Sequence, residues 1–83
     1  MKFWISKYAL STGIKEIDVE WDPDFPTMLT DRSGSLAQNY HGEGRDWHRT
    51  RDGAVRIARE MRLKKIASLQ KQISKLEKLR FEP

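Results

Sequence analysis

The stretch "RDGAVRIAREMRLKKIASLQKQISKLEKLRF", residues 51–81, repeats its apolar side chains with the 3.6-residue period of an α-helix. At 100° per residue, Ala54, Val55, Ile57, Ala58, Met61, Ile66, Leu69, Ile73, Leu76 and Leu79 share one broad side. Arg56, Glu60, Lys64, Ala67, Lys71, Ser74 and Lys78 occupy the other, and Leu63 falls off the stripe. Thr50 is placed to cap the N-terminus, Asp52 suits the helix dipole in the first turn, and no proline follows until Pro83. Glu60 and Lys64 have the spacing and order of a favourable i,i+4 ion pair.

A helix over residues 51–80 is about 45 Å long at 1.5 Å per residue. A compact chain of 83 residues is only about 30 Å across. About two turns are therefore expected to overhang. Residues 51–65 carry the small Ala54 and Ala58, suited to close packing on a sheet. Beyond them, Ile66, Leu69, Ile73 and Leu76 follow the 3-4-3 spacing of a helix-contact seam, over about two seven-residue repeats.

The other half of the chain changes period. "GIKEIDVEW", residues 13–21, alternates strictly, with Ile17, Val19 and Trp21 on one face and Glu16, Asp18 and Glu20 on the other. With the aromatic and β-branched "KFWISKYAL" before it, this predicts a hairpin over residues 2–21, turning through "STG" with Gly13 at positive φ. Pro23 and Pro26 exclude a central strand and leave residues 22–26 as a loop. A second hairpin is expected over about residues 27–40, turning at "DRSG", followed by an exposed loop "HGEGRD". The expected class is α+β in one domain spanning 1–83. Its β region, residues 1–49, forms a small antiparallel sheet of two hairpins and about four strands, and the long C-terminal amphipathic helix covers residues 50–81.

Composition narrows the functional classes. There is no cysteine, which removes disulfides, thiolate metal sites and cysteine nucleophiles. The apolar run at the N-terminus is broken by Ser6 and Lys7, too short for a signal peptide, and nothing approaches the ~20 apolar residues of a membrane span. A cytoplasmic protein is expected. His41, Glu43, Asp46 and His48 cluster in sequence, but on a glycine-rich segment with no preset geometry, so a polar loop is the expected reading and neither metal nor cofactor is assigned. Asp22 and Asp24 flank a proline and read as turn carboxylates. Ser11 and Thr12 have no His at a motif spacing, and no phosphate-binding glycine loop is present. A non-enzymatic protein is expected.

Residues 1–44 carry four basic side chains against seven acidic, and the remainder twelve against five. An acidic front and a basic tail point to a polyanion, an acidic protein surface or a second copy of the chain. Two candidate partner surfaces follow. The strand face Glu16, Asp18 and Glu20 could imitate a phosphate backbone, or be simply solvated. The basic set Arg45, Arg49, Arg56, Arg59, Lys64 and Lys71 could meet nucleic acid or a protein, although the arginines spread around the helix. Trp47, among them, is expected to anchor the core. Of the six rings Trp4, Tyr8, Trp21, Phe25, Tyr40 and Trp47, four or five should fill the interface between sheet and helix.

"WISKYALSTGI", residues 4–14, together with "RDWHRTRDGAVRIAREMRLKKIASLQKQISKLEKLRF", residues 45–81, resembles a group of small bacteriophage and prophage accessory proteins of unassigned function. The resemblance covers 48 residues and leaves out the middle of the chain. It implies a viral protein in the bacterial cytoplasm and no catalytic motif. By analogy of class with anti-CRISPR proteins, it implies an inhibitor that binds a host protein or ribonucleoprotein complex on a nucleic-acid-handling surface. Two further readings stay open: a small basic DNA- or RNA-binding regulator, and a homodimer zipped through Ile66, Leu69, Ile73 and Leu76.

Overall fold

The computed structural model describes residues 1–81. Its elements, in chain order, are β1 (Lys2–Ile5), α1 (Ala9–Thr12), β2 (Lys15–Asp18), β3 (Met28–Asp31), β4 (Gln38–His41), β5 (Trp47–His48) and α2 (Arg51–Glu77). The α+β class holds, with two antiparallel hairpins and a long C-terminal helix. The strands divide into two sheets, however: β2-β1-β5 with three strands, and β3-β4 with two.

In β1 the alternation of a pleated strand turns Phe3 and Ile5 to one face and Trp4 to the other. Register places Ile17 opposite Phe3 and Trp47 opposite Ile5, so the first face gathers Phe3, Ile5, Ile17 and Trp47. These pack with Leu29 and Tyr40 of the β3-β4 hairpin, and partly buried Val19 and Trp21 close the edge. The Trp47 ring meets Phe3 edge-to-face, with centroids 5.4 Å apart and planes at 86°. Its Nε1–H donates to the Thr27 carbonyl at 3.0 Å, tying one sheet to the other.

The core thus lies between the two sheets, whereas the sequence placed it between sheet and helix. Trp47 and Tyr40 are buried, Trp4 and Trp21 are half-buried, and Tyr8 and Phe25 remain exposed. The opposite face of the three-stranded sheet presents Trp4 and His48 to α2, whose only fully buried residue is Ala54.

The connection between β1 and β2 also differs from expectation. Ser6 N donates to the Asp46 carbonyl and ends the strand, and the chain then makes the helical turn α1 instead of extending β1 through Leu10. Gly13, at φ 82°, then reverses the chain into β2. The second hairpin forms as expected, with a longer loop over residues 32–37 in which Asp31 Oδ1 accepts from Ser33 N at 3.0 Å.

Helix α2 starts where its cap predicts, the Thr50 hydroxyl accepting from Gly53 N at 3.1 Å. Gly53 leaves room for that cap, since a Cβ there would come within 3.2 Å of Thr50 Oγ1, and its backbone lies against His48. Gly53, Val55, Ile57, Ala58 and Met61 are half-buried. From Arg62 to Phe81 every residue is exposed except the half-buried Ser74. The free part of the helix, residues 62–77, is about 24 Å long, more than four turns, twice the expected overhang. The molecule accordingly measures 61 × 28 × 21 Å with a radius of gyration of 17.7 Å. No helix among the described residues is long and apolar enough to cross a membrane.

Trp47→Ala is expected to lower stability by about 3–5 kcal/mol, as expected for emptying a buried aromatic site. Trp47→Phe, which keeps a ring and loses the bond to Thr27, should cost about 1–3 kcal/mol. Ile73→Glu, on the free part of α2, should change it by less than about 0.5 kcal/mol. Urea unfolding followed by circular dichroism measures all three, and a Trp47→Ala midpoint equal to wild type would contradict the core described above.

Candidate functional site

The residues nominated from sequence separate into three environments. On β2, Glu16 lies 3.2 Å from Lys2 Nζ, and Asp18 accepts from the Met1 ammonium at 2.6 Å. That hydrogen bond is the main cause holding the Asp18 carboxyl below its ordinary range. The carboxylate row is exposed as expected, but two of its three members are partnered within the chain, and Glu20 alone forms no ion pair among the described residues. Both pairs are at the surface, so the carboxylates stay exposed on this face.

Arg49 leaves the set of free cations. Its guanidinium sits 5.3 Å from the Trp21 ring centroid, 5.7 Å from Trp47 and 5.8 Å from Phe3, and it pairs with Glu43. It roofs the aromatic cluster through cation-π contact. The signal was present in sequence: in an extended segment residues 47 and 49 share a face, so an arginine there follows Trp47 to the core. Arg45 is tied down through its main chain, its carbonyl accepting from Ser6 Oγ at 2.7 Å.

That bond belongs to a buried polar pair absent from the sequence reading. Ser6 Oγ also lies 2.7 Å from His48 Nε2, and both side chains are buried. The Arg45 carbonyl can only accept, so it takes the Ser6 proton, and His48 Nε2–H donates to Ser6 Oγ. The serine therefore faces a donor, and its nucleophilicity is not raised. Burial pushes the His48 pKa down, with the nearby Arg56 charge acting the same way. Forty-two residues separate the pair, so no local spacing could reveal it.

The other members of the polar loop are also engaged separately. Asp46 accepts from His41 N at 3.0 Å and Glu43 holds Arg49. Among the described residues no group of three or more His, Asp or Glu is placed to hold a metal ion. Asp22 Oδ1 accepts from Asp24 N at 2.9 Å, the turn-forming role expected of it.

The remaining cations lie on α2. Arg56, Arg59, Lys64 and Lys71 are all exposed, and none of the ion pairs among the described residues involves an α2 side chain. The expected Glu60–Lys64 pair is not formed, in keeping with the near-zero net worth of exposed ion pairs. Lys64, Lys71 and Lys78, seven residues apart, fall within about 40° of one another and repeat every ~10.5 Å along the helix. Ile66, Leu69, Ile73 and Leu76 occupy the opposite side, 44%, 43%, 54% and 65% exposed. Arg59 sits beside this seam, away from the lysine row.

Comparison with known proteins finds no matching family model, no similar curated protein and no similar solved structure.

The His48 environment sets a pH dependence. Its folded pKa lies below the unfolded value of about 6.5, so the unfolded chain binds the extra proton first. This contribution is fully present above that value and is lost as pH falls from it towards the folded pKa, with a slope of at most about 1.4 kcal/mol per pH unit. Urea midpoints between pH 8 and 5 should fall in wild type, and that part of the fall should vanish in His48→Gln.

Proposed function

We propose that this chain is a non-enzymatic binding protein that engages a polyanionic surface through the cationic face of its projecting helix. What supports this reading is the exposed row of Lys64, beside the loop before β5, and Lys71 and Lys78, on the part of the helix that projects beyond the globule, with no ion pair to any of them among the described residues. Arg56 and Lys75 border the row, and Glu60 is the one carboxylate on that face. A cationic helix that projects beyond the body can enter a channel or lie along a strand that a rounder protein of this size would not reach.

The target class that fits is a nucleic-acid-handling complex, and the resemblance to phage accessory proteins favours a host defence ribonucleoprotein such as a CRISPR effector. Such a machine exposes guide RNA and captured DNA, and occlusion there blocks target binding. Glu16 and Asp18 already have partners within the chain and the helix lysines have none among the described residues, which favours the basic helix over the acidic strand as the contact. A second reading, a regulator that binds DNA or RNA without any protein partner, is favoured by the regular spacing of the lysine row.

Electrophoretic mobility shift and effector-binding assays separate the two. The inhibitor reading expects loss of target-DNA binding by the effector in the presence of this protein, abolished by combined Lys64→Glu, Lys71→Glu and Lys78→Glu and retained in Glu16→Gln. The regulator reading expects binding to naked nucleic acid, with log K falling against log salt by about 0.7–0.9 per phosphate contacted, so a slope of about −2 to −2.7 for three lysines. Unchanged effector activity together with no nucleic-acid binding at low salt would rule out both.

A further inference from the structure

We propose that the free half of α2 pairs with the same segment of a second copy of this chain, the two helices running antiparallel, with Ile66 opposite the second copy's Leu76 and Leu69 opposite its Ile73. These four side chains fall within about 80° of the helix circumference, narrower than the face used against a core or a lipid surface and matched to a single facing helix. In the antiparallel register each contact sets an isoleucine of one copy against a leucine of the other, so the layers along the seam are equal in volume.

Charge at the seam admits an identical partner. The flanking positions inside residues 65–77 are Lys65, Gln70, Gln72 and Glu77, which sum to zero. The many lysines of this segment are directed away from the seam, so two copies meet without opposed like charges. This also leaves the lysine row open on the outer side of each helix. The pairing therefore stands independently of any polyanion contact.

The globule selects the direction. The α1 turn leans on α2 alongside Val55, Ala58 and Arg59, which occupy the same angular sector as the seam. A parallel pair would force both α1 turns into one space. In the antiparallel pair the helix end at Glu77 comes opposite the second copy's Lys65, just short of its α1, and the seam is filled from tip to globule. The two α1 turns then stand about 35–40 Å apart at 1.5 Å per residue. Eight half-exposed Ile and Leu side chains with their flanks bury on the order of 1,000 Å², at the lower edge for a specific interface, so a micromolar dimer is expected.

Sedimentation equilibrium over micromolar to millimolar concentration, combined with a spin-label distance, tests this. Wild type should show a monomer-dimer equilibrium. Ile73→Glu should weaken it more than tenfold at unchanged circular dichroism and unfolding midpoint, while Lys71→Gln keeps it. The chain has no native cysteine, so Ser11→Cys on exposed α1 carries a single label. A separation of about 35–45 Å, widened by the label arms, supports the antiparallel pair. A monomer throughout, a dimer indifferent to Ile73→Glu, or a label separation below about 20 Å would overturn it.

Discussion

The indole of Trp47 is the contact on which the rest of the globule depends. It is fully buried, it stacks edge-on against Phe3, and its N–H reaches the Thr27 carbonyl in the segment leading into β3. A two-stranded hairpin is marginal on its own, and β3-β4 acquires stability only by packing against something. Trp47 supplies that surface, and the short strand β5 that carries it also completes the first sheet beside β1. Arg49 closes the cluster from above through three aromatic rings. On the other face of the same two-residue strand, His48 satisfies buried Ser6 and lies against the first turn of α2.

This arrangement explains why the helix is left so bare. A core built between two small sheets needs α2 only as a lid over Trp4 and His48, and residues 53–61 suffice for that. Everything beyond Met61 contributes no core burial, yet it keeps a regular helical pattern with apolar and cationic sides. Isolated helices of this length are marginal in water, and the continuous start from a capped, packed first half offsets the cost of nucleation. Its amphipathic order is best accounted for by contacts outside the globule, an apolar seam to one side and a cationic row to the other.

Much of the fold was legible because local signals agreed with the final packing. Ile17, Val19 and Trp21 alternate in sequence and face the core, Thr50 caps, and the length of the helix against the size of the chain foretold its overhang. What escaped was decided by distant contacts. Residues 7–10 are apolar enough for a strand, but Ser6 is drawn to Asp46 and His48, and the chain turns. Arg49 looked like a free cation because the rings it covers come from β1, β5 and the segment after β2. The seam and lysine row of α2 were readable in full, since an exposed helix obeys its own period and nothing else.

Helix α2 is two helices in one, a packed half and a free half. Amide hydrogen exchange resolved by residue, at concentrations of a few micromolar or below, tests it most directly. Amides of residues 54–61 should exchange only by near-global opening, while those of residues 62–77 exchange through local fraying, faster by a factor of a hundred or more. Uniform protection along the whole helix in the monomer would contradict it.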